Sequence, residues 1–490
     1  MNRRDFITTT ATGAVATLAT ARLLSAQTPA AAPKREVMIA MPICVAPLVT
    51  GDLDRIFGDM KDRAGVNALF PFMYSHEEHR AGVPEHTPGF RGGNYATPHM
   101  EYYQGSILTY ADMRATDFGD VDVLAKVIPA ARRHGIKVFP FVLEDNHRPE
   151  AVPNWKKLAE VDFHGRISSL PCKHNPYYRA LVGGLVEDYA RSYEIGGLMW
   201  GAERQSGFLN AAGLSMSGLG DGSRATCFCE FCQKNAKETG IDVERARRGF
   251  IEIEKFMRAS KAGERMPDGH FTTFWRILLN YPELIAWENL WVRGRHGMQA
   301  ELYQRMKAAN PALPIGWHIW QNVSFSPFQR AEEDYGLLKQ YSDFIRPAVY
   351  NNVAGERYHA FAAAAHVGVF GDLPADEVLA LMYRMQGYDE PPYGKVSQTG
   401  LSARYVERET RRALEGVAGG PRPVDVWPGI DIDVPVPAGV SRCTPEGVKA
   451  AVKGVFQGGG TGIILSRNYV EMKPENLSAE GDALRELGLA

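Results

Sequence analysis

Short apolar segments alternate with amphipathic segments along the chain from Val37 onward. The apolar segments are near-continuous runs, which is typical of parallel strands that are buried on both faces. Eight strands are predicted, at Val37–Val45, Val66–Tyr74, Ile136–Leu143, Gly196–Trp200, Pro314–Trp320, Asp343–Tyr350, Val424–Ile430 and Gly462–Leu465.

The segments between these strands have the periodicity of amphipathic helices. Thr444 precedes Pro445 and Glu446, and a capping residue before a first-turn proline predicts a helix start. Alternating strands and helices favour an α/β fold with a single (β/α)8 TIM barrel over two doubly wound domains. Long βα loops are expected after the first, second and fourth strands. Helices are predicted over Val121–His134, Tyr177–Tyr193, Val243–Met257, Leu284–Ala309 and Thr444–Gln457.

Residues 1–27 predict an export signal. Arg3 and Arg4 precede an Ala/Thr-rich, mildly apolar stretch that ends in small residues near Ala26. This order is typical of a signal peptide, and paired arginines resemble the twin-arginine type. The alternatives are an ordinary secretory signal or a membrane anchor. Residues 28–36 are then a linker, residues 37–490 form the barrel, and the mature protein is expected to be periplasmic or secreted.

Composition narrows the possible partners. The 490 residues are 45% hydrophobic and 23% charged, as in soluble globular proteins, and the formal net charge is -2. Without a basic surplus, nucleic acid is not an expected partner. Beyond the N-terminus no apolar run approaches the roughly 20 residues that span a bilayer, so stable membrane insertion is not expected.

The absence of a nucleotide-binding glycine motif predicts no organic cofactor. The oligomeric state is left open.

Functional side chains in such barrels follow the carboxyl ends of the strands. Carboxylates, amides, a histidine and several aromatic rings converge there in this sequence. Aromatic faces stack on the C–H surfaces of sugars, and carboxylates and amides bind hydroxyls, so the mixture predicts a carbohydrate substrate. The candidate substrate-binding residues are Glu144, Asp145, Trp200, Arg204, His318, Trp320, Tyr350, Asn351, Asp431 and Arg467.

Glu203 is the predicted general acid. It follows an apolar strand and Trp200, where partial desolvation would raise the pKa of its carboxyl and keep it protonated. An ion pair with its neighbour Arg204 would lower that pKa. The alternative role for Glu203 is a salt bridge at the rim of the barrel.

Asp433 is the predicted nucleophile or base. Asp431 and Asp433 lie two residues apart in an extended segment and can share one face, and Asp433 lies further past the strand end. Its alternative role is to cap a loop. Glu144 and Asp145 are the other contenders, and His318 is either a substrate contact or a hydrogen-bonded core histidine. Carboxyls about 5–5.5 Å apart would give retention of configuration, and roughly 6.5–9.5 Å would give inversion.

Four of the six cysteines are candidate metal ligands. Cys227, Cys229 and Cys232 make a C-x-C-x-x-C motif, and Cys172 lies upstream. Four thiolates complete a tetrahedral zinc site with no open position, which predicts a structural role. Disulfides in an oxidising compartment and free buried thiols are the alternatives.

A strand-four glutamate followed by C-x-C-x-x-C, with a fourth cysteine upstream, resembles the family 42 β-galactosidases of the retaining clan A glycoside hydrolases. The resemblance implies a (β/α)8 barrel, zinc held by the four cysteines, Glu203 as the acid/base and a strand-seven glutamate as nucleophile. The sequence departs from that pattern, because Ala202 stands where the family has asparagine and strand seven offers only Asp431 and Asp433.

A second resemblance covers most of Val37–Ala490. The segments WGAERQ, SFSPFQRAEEDY and LSRNYVEM are similar to those of twin-arginine-exported bacterial proteins assigned to the glycoside hydrolases. Together these patterns predict an exported glycosidase that cleaves an oligo- or polysaccharide with a carboxyl pair. The alternatives are a non-catalytic carbohydrate-binding barrel, and a carbohydrate lyase or epimerase that uses His318 or Glu144 as base.

Overall fold

Eight parallel strands form the framework of the protein. The computed structural model describes residues 36–144, 151–216 and 221–489. The predicted strands are confirmed, with two of them divided into two parts. The strands are β1 (Met38–Ile43), β2 (Ala68–Ser75), β3 (Lys137–Val138 and Phe141–Glu144), β4 (Leu198–Ala202), β5 (Ile315–Ile319), β6 (Phe344–Pro347), β7 (Asp425–Val426 and Gly429–Asp431) and β8 (Gly462–Ser466).

The sheet closes on itself through β7. Each strand pairs in parallel with its neighbours from β1 through β6, and β1 also pairs with β8. The first part of β7 pairs with β6, and its second part pairs with β8. Pro140 and Pro428 stand at the two breaks, because proline has no N–H to donate to a strand ladder. The expected (β/α)8 barrel is therefore confirmed.

Helices surround the barrel, and the five predicted ones are all present within a few residues. Thr444 accepts a hydrogen bond from the Gly447 N–H, as its position before Pro445 predicts. The helices are α1 (Val45–Thr50), α2 (Leu53–Ala64), α3 (Glu78–Ala81), α4 (Tyr110–Met113), α5 (Val123–Arg133), α6 (Pro176–Ser192), α7 (Gly207–Ala211), α8 (Glu230–Glu238), α9 (Val243–Lys261), α10 (His270–Asn280), α11 (Glu283–Ala309), α12 (Asn322–Phe325), α13 (Pro327–Glu332), α14 (Tyr335–Leu338), α15 (Asn351–Val367), α16 (Ala375–Gln386), α17 (Tyr393–Thr399), α18 (Ala403–Val417), α19 (Pro445–Gln457) and α20 (Pro474–Glu486). Within residues 36–144, 151–216 and 221–489, no helix combines the length and the hydropathy that a membrane span requires.

The connections after β2 and β4 are long, as expected, but the long loop expected after β1 is absent, because α1 begins at Val45, two residues after β1 ends. The connections after β3 and β6 are also long, which the sequence did not suggest. The first carries an antiparallel hairpin of Ala159–Val161 and Ile167–Pro171, and the second carries four helices. Residues 1–35 and 145–150 lie outside the described residues, so the signal peptide, most of the linker and Asp145 remain sequence-based predictions.

Aromatic side chains fill the interior of the barrel. Phe344 stacks on Trp427 with ring centroids 4.1 Å apart, and Phe70 stacks on Phe139 at 5.0 Å. Gly316 on β5 leaves space for this packing, because a Cβ there would lie 2.3 Å from the Phe344 ring. The filled interior forms the floor beneath the side chains at the carboxyl ends of the strands.

Replacing Gly316 with alanine tests this packing. We expect Gly316→Ala to lower the free energy of unfolding by about 1–3 kcal/mol, since the added methyl overpacks the ring of Phe344. Urea unfolding followed by fluorescence measures the change. Gly58→Ala in α2 is the matched control, because its Cβ meets no atom within 4 Å. Equal effects of the two substitutions would contradict the packing described here.

Candidate active site

Two cavities lie at the carboxyl ends of the strands, and Glu203 lines both. The outer cavity has a volume of about 550 Å³ and lies between the Ile167–Pro171 strand, the segment after β4 and Trp320. The inner cavity, at about 70 Å³, is much smaller. The polar side chains that line the inner cavity are His79, Arg80, Glu203, His318, Arg346, Tyr350, Arg357, Arg467, Asn468 and Glu471.

One register row of the sheet positions the centre of the site. Gly201 on β4 is paired with His318 on β5, and His318 is paired with Arg346 on β6. Side chains in one row of a sheet point to the same face. Gly201 has no side chain, and a Cβ there would lie 2.5 Å from the Cβ of His318. The glycine therefore lets His318 occupy the space in front of β4.

His318 connects Glu203 to Arg346. Its Nε2 lies 2.8 Å from Glu203 Oε1, and its Nδ1 lies 2.5 Å from Arg346 Nη1. Because a guanidinium can only donate, Nδ1 accepts and the proton of the neutral ring is on Nε2, which donates to Glu203. Burial, reinforced by the charge of Arg346, lowers the pKa of His318 to about 4, so the ring is neutral at pH 7.

Arg346 is a buried cation at the floor of the inner cavity. It donates to the Tyr350 hydroxyl at 2.5 Å and to the Ser466 hydroxyl. Its guanidinium packs against Gly429 on β7, where a Cβ would lie 2.5 Å from Nη2. Its Nε has no hydrogen-bond partner among the described residues.

The surroundings of Glu203 hold its carboxyl ionised. Burial would raise the pKa of Glu203, but the hydrogen bond that His318 donates and the charges of Arg80 and Arg357 together lower it well below the usual range. Arg80 Nη2 lies 3.8 Å from Glu203 Oε2. The expectation that desolvation keeps Glu203 protonated is therefore wrong for the free protein.

Glu144 and Arg204 belong to a buried ion network beside the cavities. Arg204 Nε lies 2.6 Å from Glu144 Oε1, and Arg204 Nη1 lies 3.0 Å from Glu160 Oε2. Lys173 Nζ lies 3.2 Å from Glu144 Oε1, and the Tyr178 hydroxyl donates to Glu144 Oε2 at 2.8 Å. The charges of Glu144 and Arg204 are thus satisfied within the protein. Arg204 also lines the outer cavity.

The four cysteines come together as a buried cluster. Their sulfurs all lie within 4.8 Å of one another, so the cluster could bind a metal. Cys172 Sγ lies 3.5 Å from the sulfurs of Cys229 and Cys232, well beyond the S–S bond length of about 2.05 Å. The cluster adjoins the ion network, since Lys173 follows Cys172 in the chain.

The two strand-seven aspartates bind the ends of helices. Asp431 ends β7 and accepts from the backbone N–H of Val353 at 3.1 Å, at the start of α15. Asp433 has a φ of 55°, and its carboxylate accepts from the Lys473 N–H and the Asn476 side-chain amide, both at 2.9 Å. These contacts place the Asp433 carboxylate at the N-terminus of α20.

The other predicted residues divide between the cavities and the core. Trp320 lines the outer cavity, and Tyr350 and Arg467 line the inner one. Trp200 is buried on the opposite face of β4 from Gly201, as the two-residue alternation of a strand requires. Asn351 is buried at the start of α15.

Sequence reasoning missed four charged residues of the inner cavity, namely Arg80, Arg346, Arg357 and Glu471. Arg346 could have been identified from the sequence, because it is a charged residue within the otherwise apolar strand FIRP. A charged side chain inside a buried strand needs a partner or a ligand. Arg80 and Glu471 lie beyond the strand ends, and Arg357 lies on a helix, where sequence spacing gives no sign of the cavity.

Comparison with solved structures agrees with the fold. The β-galactosidase from the psychrophilic Marinomonas ef1 superposes with a TM-score of 0.50 at 10% identity, over 92% of this chain and 61% of that one. The cold-adapted β-galactosidase from Rahnella sp. R3 gives 0.50 at 13% identity, over 94% and 57%. The chain thus spans about three-fifths of the length of these enzymes. At such identities the likeness shows the shared barrel fold. No protein-family model and no curated protein sequence matches the chain.

The contacts of Asp433 predict a role in stability. Asparagine retains the preference for a positive φ but loses the charge that faces the α20 N-terminus. We expect Asp433→Asn to lower the free energy of unfolding by about 1 kcal/mol, measured by urea denaturation. Asp389→Asn is the control, because the Asp389 side chain is 97% exposed. An unchanged stability in Asp433→Asn would show that these contacts contribute nothing.

Proposed function

We propose that the protein is a glycoside hydrolase in which Glu203 is the catalytic carboxylate. The observation that carries this proposal is the position of Glu203, which lines both the inner and the outer cavity. A saccharide in the outer cavity, with one substituent reaching past Glu203 into the inner cavity, would present its glycosidic oxygen to this carboxyl. The barrel fold that the chain shares with the two β-galactosidases is compatible with such chemistry.

In the proposed reaction, Glu203 gives its proton to the glycosidic oxygen as the bond from that oxygen to the anomeric carbon breaks. A water molecule supplies the hydroxyl that ends on the anomeric carbon, and its remaining proton returns to the site. Because Glu203 is ionised in the free protein, it must take up a proton as the complex forms. After Glu203 has given up its proton, its ionised carboxylate can accept a proton from the water.

The second carboxylate has two candidates. Asp433 is the candidate proposed from the sequence. Glu471 is favoured by its position, because it lines the inner cavity together with Glu203 and is held by Arg467 Nη2 at 2.8 Å. The anomeric configuration of the first product, read by NMR, separates retention from inversion. Loss of hydrolysis in Glu471→Gln but not in Asp433→Asn would assign the role of second carboxylate to Glu471, and the reverse result would assign it to Asp433.

We also propose that the cysteine cluster binds structural zinc. In a tetrahedral site with Zn–S distances of about 2.3 Å, neighbouring sulfurs lie about 3.8 Å apart, close to the spacing seen here. Zinc would tie Cys172, next to the hairpin, to the Cys227–Cys232 segment. The export signal and a periplasmic or extracellular location are proposed from residues 1–27 alone.

Replacing Glu203 with glutamine tests its role as the general acid. We expect this variant to lose more than about 10³-fold in kcat/KM on unactivated oligosaccharides, because the amide cannot protonate the leaving oxygen. On glycosides whose leaving group is an acidic phenol the loss should be much smaller, since that oxygen needs no proton. Release of reducing sugar and of phenol measures the two cases, and the melting temperature checks that the fold is intact.

Asp433→Asn serves as the comparison for this measurement. We expect it to lose stability while it keeps most of its activity. Wild-type turnover by Glu203→Gln would end the assignment of Glu203. If sugars raise the melting temperature but wild type releases no product from a broad panel of linkages, the protein is a carbohydrate-binding barrel instead.

The metal proposal predicts about one zinc per chain in purified protein. Cys229→Ser should lose the metal and lower the melting temperature by more than about 5 °C, since metal binding is coupled to folding. Cys44→Ser is the control, because Cys44 is also buried and lies outside the cluster. Elemental analysis and thermal unfolding measure both effects. Disulfide-bonded protein without metal would contradict the proposal.

A further inference from the structure

The inner cavity carries an excess of positive charge. Among the described residues, four guanidiniums line it, those of Arg80, Arg346, Arg357 and Arg467, against the two carboxylates of Glu203 and Glu471. The pKa of His79 is lowered mainly by burial, and that of His318 is lowered to about 4, so neither adds charge at pH 7. Four positive charges against two negative ones leave a net excess of two.

Two of these arginines lack a carboxylate partner. Arg80 pairs with Glu77 and Arg467 with Glu471, whereas Arg346 and Arg357 make no ion pair within the described ranges. Arg346 is 3% exposed, and its Nε has no hydrogen-bond partner among the described residues. An uncompensated buried cation is costly, so it favours a ligand that brings negative charge.

Arg357 is the more accessible of these two cations. It lies on α15, is half-buried, and donates to the Gln321 side chain at 2.6 Å. The guanidiniums of Arg357 and Arg346 lie 5.7 and 5.2 Å from the centroid of the Tyr350 ring. The two unpaired cations therefore flank the same side chain of the inner cavity.

The outer cavity differs in both charge and size. Its charged lining is balanced, with Glu160 and Glu203 against Arg204 and Arg224. Its volume of about 550 Å³ is in the range of pockets that hold whole small ligands. The inner cavity of about 70 Å³ suits a substituent rather than a chain of sugars.

We propose that the substrate is an anionic carbohydrate, and that Arg357 and Arg346 in the inner cavity receive a charged group of the sugar next to Glu203. This group is a uronate carboxylate or a sulfate ester, which guanidinium groups bind by the same charge-assisted hydrogen bonds. The inference rests on the proposed hydrolase function and names its substrate class.

An anionic group at this place also supports the proposed reaction. The charges of Arg80 and Arg357 contribute to the low pKa of Glu203. A negative group beside them would offset that contribution and raise the pKa of Glu203 in the complex. The free protein would then keep Glu203 ionised, and the correct substrate would promote its protonation.

The test uses matched pairs of oligosaccharides. Each uronate oligosaccharide is compared with its carboxyl-reduced form, and each sulfated one with its desulfated form, in wild type, Arg357→Gln and Arg411→Gln. We expect wild type to prefer the anionic member of a pair by roughly 10–100-fold in kcat/KM. Arg357→Gln should lose this preference, because its kcat/KM should fall much further for the anionic member of a pair than for the neutral member. Arg411, exposed on α18, is the surface control.

The outcomes separate the two proposals. Equal hydrolysis of both members would overturn the anionic substrate while the hydrolase stands, and preference for the uronate or the sulfated pair identifies the group. If no member is hydrolysed, calorimetric titration of wild type and Arg357→Gln decides. Tighter binding of the anionic member, lost in Arg357→Gln, supports the charged subsite without the reaction, and equal binding overturns it.

Discussion

The neutral imidazole of His318, held between an arginine and a glutamate, is the constraint on which the site depends. A neutral ring accepts at one nitrogen and donates at the other, so it can satisfy Arg346 and Glu203 together. A protonated ring would turn a donor toward the Arg346 guanidinium. Gly201 and Gly429 leave the space that these two large side chains need. The aromatic interior supports them from below, and the Glu203 carboxylate is thereby fixed between the two cavities.

The wall of the outer cavity depends on a second set of buried charges. Arg204 directly follows Glu203, and its guanidinium is paired with Glu144 on β3 and with Glu160 in the hairpin. Buried charges lose hydration, and only several well-placed partners offset that cost. The four-cysteine cluster adjoins the same hairpin through Cys172. These contacts couple the orientation of the Glu203 backbone to the hairpin that faces it across the cavity.

The sequence was sufficient to predict the barrel, because buried parallel strands produce apolar runs that stand out at this length. It also located Glu203, Trp320, Tyr350 and Arg467 at the cavities, since each follows or ends a strand. It could not give the direction of side chains that depend on strand register. Trp200 alternates into the core, and Asp433 binds a helix that lies 40 residues further along the chain. The pKa of Glu203 depends on Arg80 and Arg357, whose proximity only the folded chain creates.

If Glu203 protonates the leaving oxygen, its side chain must touch the bond that breaks. A crystal structure of Glu203→Gln with an uncleaved oligosaccharide tests it most directly. The sugar chain should occupy the outer cavity with one substituent in the inner cavity, and the glycosidic oxygen should lie about 2.6–3.2 Å from the side chain at position 203. A saccharide bound with its glycosidic oxygens beyond the reach of that side chain would show that Glu203 is not the acid.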